Sequence, residues 1–234
     1  MSAATTTDLA QLLVSLQLSD SSFPSGMYTM SHGLEGFHQA RLVARGAVGA
    51  LLVELLEASI GPGDGTALAR AHDAAVAGDR DGVERVDRLL LATKLNAEMR
   101  TASVRSGRHL IGVAADVIDD PVLAAYAAQV AARAVPGCQP VVSALCYAGA
   151  GVTRERAVAS DLYAFSASFV GAALRMRLTD HREAQVVLRG VAATIEAVTA
   201  AAVARPLGDL GGCAPMADIA SAWHERADGR LFTS

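Results

Sequence analysis

The chain has a single lysine. Lys94 sits in the run Thr93-Lys94-Leu95, and the other cationic side chains are arginines. A Walker A loop needs Gly-Lys-Ser/Thr, so this scarcity excludes P-loop nucleotide chemistry. Cysteine is almost as rare: Cys138, Cys146 and Cys213 form no C-x-x-C pair and cannot all pair with one another. Neither a disulfide framework nor a zinc-ribbon spacing is present. Aromatic residues make up 4% of the chain, and the formal charge of −4 with a pI near 5.8 provides no basic face for nucleic acid. No alternating strand pattern of useful length occurs, and no repeat of fixed period, which excludes a solenoid. The amino terminus lacks the charged and apolar regions of a signal peptide, so a reducing cytoplasm is expected. A membrane span is not expected either. The longest charge-free run, 134–153, contains Pro136, Gly137 and Pro140, and the apolar run 186–204 is interrupted by Arg189 and Glu196.

Alanine, by contrast, is abundant, at about a fifth of a chain that is 52% hydrophobic. It is the strongest helix former. Leu9, Leu12, Leu13 and Leu16 follow i, i+3, i+4, i+7 and predict an amphipathic first helix that buries this stripe. Val48, Leu51, Leu52, Leu55 and Leu56 repeat the period, and Gly61-Pro62-Gly63-Asp64-Gly65 reads as a stop. Asp81 with Glu84 reads as a capping pair that opens a helical zone to Ile118, broken near Thr93 or Gly107. Asp120-Pro121, Thr153 and Asp180 mark later helix starts. The expected fold is all-α: a single-domain bundle of about ten helices. Its core spans 1–204, followed over 205–234 by a glycine- and proline-rich linker, a short helix at 216–227 and a docking tail.

The segment 19–38 carries more special backbone chemistry than the rest. Pro24 fixes φ, Gly26 permits left-handed angles, and a helix over roughly 29–39 would place His32 and Glu35 one turn apart on one face. Loops that must hold one shape are where binding tends to sit. His32, Glu35 and His38 are spaced i, i+3, i+6, which rotates the last ligand well around a helix, and His224-Glu225 lacks a zincin's second histidine. No G-x-S-x-G elbow exists. No catalytic residue, metal site or cofactor is therefore assigned, while a helical metalloenzyme or metal-binding protein using His32 and Glu35 stays open as the alternative. Glu98, Arg100, Ser103, Arg105 and Arg108 form a polar strip, suited to solvent or to bidentate arginine contacts with a partner. Trp223, Leu231 and Phe232 cluster near the end of the chain with Arg230 beside them, and aromatics and arginine are the usual anchors of interfaces.

Three blocks resemble the urease accessory protein UreF family: P-S-G-M-Y-T-M-S-H-G-L-E at 24–35, E-M-R-T-A-S-V-R-S-G-R-H-L at 98–110, and Pro215, His224, Glu225 with R-L-F-T-S at 230–234. Their order and spacing cover nearly the whole chain. The pattern departs from the family around Cys138–Tyr147 and from Thr179 to Gln185. The resemblance implies a cytoplasmic all-α homodimer, not an enzyme, that acts as a scaffold in urease maturation. It would bind UreD (also called UreH) and recruit the GTPase UreG for GTP-dependent nickel insertion into apo-urease. The residues it marks for partner binding are Pro24, Gly26, Tyr28, Ser31, His32, Gly33, Glu35, Glu98, Arg100, Ser103, Arg108, His224, Glu225, Arg230, Leu231, Phe232 and Ser234. On this reading the tail becomes ordered when it meets UreD.

Overall fold

The computed structural model describes residues 7–232, and no strand occurs among them. Helix α1 (Asp8–Ser19) starts at Thr7, whose hydroxyl accepts from the Ala10 amide at 3.2 Å. The chain then turns through Met27–Thr29 into the short α2 (Leu34–Gln39). Next come α3 (Val48–Leu55), a π-helical stretch (Leu56–Gly65) and α4 (Thr66–Val76), then α5 (Arg80–Thr93), α6 (Ala97–Val117), α7 (Pro121–Ala131) and α8 (Gln139–Gly149). The order closes with α9 (Arg154–Arg175), α10 (His181–Gly190), α11 (Ala192–Ala204) and α12 (Pro215–His224). Helix α4 packs against α5, α8 and α9, while α6 covers α8 and α11 lies on α9 and the π stretch. Leu68, Leu90, Leu145, Tyr147, Leu162 and Phe169 form the fully enclosed centre.

The glycine cluster at 61–65 does not stop a helix. Residues 55 to 66 stay in the right-handed region and the chain passes straight through as a π-helix containing Pro62. A widened turn tolerates the missing proline N–H and leaves carbonyls free. Those of Ala58 and Pro62 accept from the amides of Cys213 and Gly211, at 2.8 and 3.1 Å. The linker thus supplies the bonds that the π stretch leaves open. A side-chain carbon at Gly61 would lie 2.3 Å from Val198 of α11, so glycine is needed there for close packing rather than for a turn.

Other expectations are also corrected. The leucine stripe of α1 faces outward, with Leu9, Leu12, Leu13 and Leu16 50–64% exposed, because Gln11 and Ser15 take the inner face. Asp79 rather than Asp81 caps α5, its carboxylate accepting from the Gly82 amide at 2.9 Å. The chain breaks after Thr93 as expected, but α6 runs unbroken through Gly107. The apolar run 186–204 is two helices meeting at 41°. Among the described residues, α9 is the one unbroken helix long and apolar enough to cross a membrane, with mean hydropathy 1.4, and half of its apolar window is buried against neighbouring helices of the fold. The starts at Asp120 and Asp180 are as expected: Asp120 accepts from Leu123 at 2.7 Å, and Asp180 from Arg182 and Glu183.

Gly107 marks the tightest contact between α6 and the segment entering α8. A side-chain carbon there would sit 2.0 Å from the Gly137 carbonyl oxygen and 2.9 Å from the Gln139 amide. Gly112, on the same helix, would meet nothing within 4 Å. Gly107→Ala is therefore expected to cost about 2 kcal/mol by forcing α6 and α8 apart. Gly112→Ala should gain up to about 1 kcal/mol from helix propensity. Urea denaturation of the two variants tests this, and equal midpoints would contradict it.

Candidate partner-binding site

The front loop and the chain end meet on one carboxylate. His32 (φ 54) and Gly33 (φ 83) are both left-handed, so the helix expected from about residue 29 starts only at Leu34. This break swings His32 away from Glu35, and the two do not share a face. Glu35 is buried at 3% exposure. Its amide is capped by the Ser31 hydroxyl at 3.3 Å. Its carboxylate receives His224 Nε2 at 2.9 Å, the Leu231 amide at 2.8 Å and the Phe232 amide at 3.0 Å, with Gln39 Nε2 at 3.4 Å.

His224 lies between two carboxylates. Its Nδ1 meets both oxygens of Glu98 at 2.9 and 3.0 Å, while Nε2 faces Glu35. Carboxylates only accept, so both contacts are hydrogen bonds only when each ring nitrogen carries a proton. Arg230 Nη1, 3.6 Å from Glu98, brings a guanidinium to the same cluster. Buried charge is tolerable only when paired and hydrogen-bonded in this way. Gly36 allows the approach, because a side-chain carbon there would lie 2.3 Å from the Ala220 carbonyl of α12. Gln39 Nε2 adds a bond to the Gly229 carbonyl at 3.0 Å.

Arg175 joins the same assembly, although the sequence did not single it out as a site residue. Its guanidinium stacks 4.2 Å from the Tyr28 ring and 4.5 Å from the Phe232 ring, and it donates to the Tyr28 carbonyl. Only a position at the end of α9 lets one side chain bridge the front loop and the tail, which no local pattern reveals. Phe232 is buried beneath it, while Leu231 is 78% exposed. The described part of the tail, as far as Phe232, is thus seated on its own chain.

The remaining marked residues divide clearly. Gly26 (φ 79) leaves room for His109, whose Nδ1 would lie 2.9 Å from a side-chain carbon there. Arg100 donates to the carbonyls of Lys94 and Leu95 at 2.7 and 2.9 Å, tying the α5–α6 turn. Ser103 is buried. Pro24, Arg108 and Glu225 are exposed, and Ser234 lies outside the described residues.

Beneath α12 lies a cavity of about 100 Å³, lined by Met30, Met99 and Phe165 and by the Lys94–Asp64 ion pair (2.7 Å) and Asp161. Burial pushes the Asp161 carboxyl up to about 6, against the hydrogen bond it accepts from Gln139. His32 borders the same space. Its Nε2 is 2.8 Å from the Ser168 hydroxyl, which itself donates to the Met27 carbonyl, so Nε2 is the donor. Burial, with Arg175 second, lowers its pKa to about 4. No group of three His, Cys, Asp or Glu side chains able to hold a metal occurs among the described residues. His32 and Glu35, taken up by different neighbours, do not form one.

Fold and site together define an all-α protein whose acid and imidazole groups lock segments of the chain onto one another, leaving an apolar outer face on α12. A family model described as UreF matches residues 43–192. The urease accessory protein UreF of Trichodesmium erythraeum is 30% identical over 97% of this chain and 98% of its own length. UreF 2 of Brucella canis is 31% identical over 96% of the chain and 92% of its own. UreF of Yersinia pseudotuberculosis is 29% identical over 96% and 99%. The chain belongs to the UreF family of urease accessory proteins.

Glu35→Gln removes the charge opposite His224 and weakens the acceptor for two tail amides, for an expected loss of about 3 kcal/mol. Trypsin should then cut at Arg226 and Arg230 much faster while far-ultraviolet dichroism stays helical; unchanged cleavage would show that the tail is held elsewhere. The two titrating groups at the cavity act with opposite sign. Unfolded histidine takes a proton below about 6.5 and folded His32 only near 4, so its contribution is full above 6.5 and lost as pH falls towards 4. Unfolded aspartate ionises above 3.8 and folded Asp161 near 6, so its contribution is full below 3.8 and lost as pH rises through 6. Relative to wild type, His32→Asn should therefore gain stability on acidification from pH 6.5 to 4, and Asp161→Asn should lose it. Urea midpoints across that window check both directions.

Proposed function

We propose that this chain is a non-catalytic scaffold in the cytoplasm that binds UreD (UreH), recruits the GTPase UreG, and so supports GTP-dependent nickel insertion into apo-urease. The nucleotide chemistry belongs to UreG, in keeping with the missing P-loop lysine. Family membership supports the role, and the outer face of α12 supports the mode of binding.

Met216, Ile219 and Trp223 fall on one side of α12 and are 41–54% exposed, opposite the buried Ala220, Ser221 and His224. Leu231 extends this apolar face from the tail, and Leu95 from the α5–α6 turn, whose Asn96 meets Asp218 and Ser221. An exposed apolar stripe centred on tryptophan and rimmed by Arg226 and Arg230 has the composition of a binding hot spot. This exposed stripe is the observation that carries the assignment to UreD. The partner-binding residues named by resemblance then act in two ways. Leu231 makes contact, whereas Glu35, Glu98, His224, Arg230 and Phe232 hold α12 and the tail in the presenting position. Tyr28, stacked on Arg175, couples the front loop to the same support.

Trp223→Glu and Leu231→Glu alter exposed side chains and should leave thermal stability near wild type while weakening UreD capture about thirtyfold or more. Deleting Arg230–Ser234 should weaken it too, with lower stability because Glu35 loses its tail amides. Co-purification with UreD and UreG measures both effects, and undiminished capture by Trp223→Glu would refute the assignment of this face.

A further inference from the structure

The cavity beneath α12 is walled by elements distant in sequence. Met30 precedes α2, Met99 and Ser103 lie on α6, Asp161 and Phe165 on α9, while Ala217 and Asp218 of α12 form the roof. Its walls are largely apolar, yet its polar groups are out of balance. The carboxylates of Asp64, Asp161 and Asp218 line it together with one ammonium, Lys94, which is held by Asp64 at 2.7 Å. Burial opposes the charge on Asp161, and the nearby Asp64 opposes it further. A cation placed beside them would relieve both effects.

Hydrogen-bond acceptors are in surplus as well. Ser103 is 8% exposed, and its hydroxyl has no oxygen or nitrogen partner among the described residues, only the weakly bonding Cys138 thiol beside it. The Ser106 hydroxyl donates to the Met30 sulfur at 3.1 Å, which leaves its oxygen able to accept. Gln139 Nε2 directs its two hydrogens to Ser143 and Asp161, each at 2.8 Å. A buried hydroxyl without a strong partner costs stability, so a bound donor is favoured here.

We infer that this cavity binds a small organic cation of the alkylammonium class, its ammonium facing Asp161 and its chain among Met30, Met99 and Phe165. The volume of about 100 Å³ sets the size. Apolar cavities of about 150 Å³ admit benzene, so about four heavy atoms fit here. A metal ion is the poorer match, because no three His, Cys, Asp or Glu side chains among the described residues converge to hold one. An ammonium instead carries three N–H groups that reach separate acceptors. The carboxylates disfavour an anion, and a neutral ligand leaves the charge imbalance in place. Thioethers and an aromatic ring suit the methylenes beside a positive charge. The site lies on the underside of α12, opposite Trp223, so the inference is independent of the assignment to UreD.

Methionine-methyl NMR of the full chain tests this, since Met27, Met30 and Met99 line the cavity and Met176 does not. Titration with n-propylammonium chloride at constant ionic strength should shift the three cavity methyls together and saturably, with a Kd of about 1 mM or tighter. The Met176 methyl should stay in place. Propionate and n-propanol, of the same size, should bind at least about tenfold more weakly. Asp161→Asn should weaken n-propylammonium binding about tenfold or more, and Ala217→Leu, which fills the space from the roof, should abolish it. Circular dichroism shows which variants are folded, and either folded variant suffices. No saturable shift in the wild-type chain overturns the inference. So does n-propanol binding as tightly as n-propylammonium, or a folded variant that binds as wild type does.

Discussion

A single carboxylate holds the two ends of the functional region together. Glu35 is reached by His224, Leu231 and Phe232, residues nearly two hundred positions away in the chain. The imidazole that reaches it also bonds Glu98, and Arg230 approaches Glu98 from outside. Removing any member leaves a buried charge or two backbone amides unsatisfied, and such deficits are worth several kcal/mol. The position of α12, and hence of everything on its outer face, follows from this cluster.

The second support is backbone geometry. The π-helical stretch exposes the Ala58 and Pro62 carbonyls, and the glycine-rich linker bonds to them at Cys213 and Gly211. A side-chain carbon at Gly212 would lie 2.4 Å from the Ala58 carbonyl oxygen, so the linker approaches at near-contact distance. The segment that looks most flexible by composition is pinned by main-chain hydrogen bonds. Linker composition describes what a chain permits when nothing meets it, whereas here a specific irregular helix does.

How much of this was legible follows from which forces are local. The Asp120 and Asp180 starts were readable because caps are satisfied within three residues of sequence. The all-α class was readable from alanine and the helical period. The stop expected at 61–65 does not form, because Gly61 serves packing against Val198, a partner invisible in a local window. The α1 stripe was read with the right period but the wrong side, since periodicity gives a face and not what covers it. The three motif blocks marked Glu35, Glu98 and His224, yet only the fold shows that they meet. Arg175 lay outside the marked set because its role depends on Tyr28 and Phe232 arriving from opposite ends of the chain.

A preformed tail changes the energetics expected of scaffolding. Ordering a segment on binding costs about 1–2 kcal/mol per residue in backbone entropy alone. The tail as far as Phe232 is held on Glu35 and Arg175, while Trp223, Met216 and Ile219 stay exposed. The leucine ridge of α1 packs beside α9, where Arg175 lines the adjoining groove. Helix α9 touches both regions, with Ser160 under α1 and Arg175 under the tail. The 22 residues of α9 thus run as one helix from beneath α1 to the tail, so both rest on the same element.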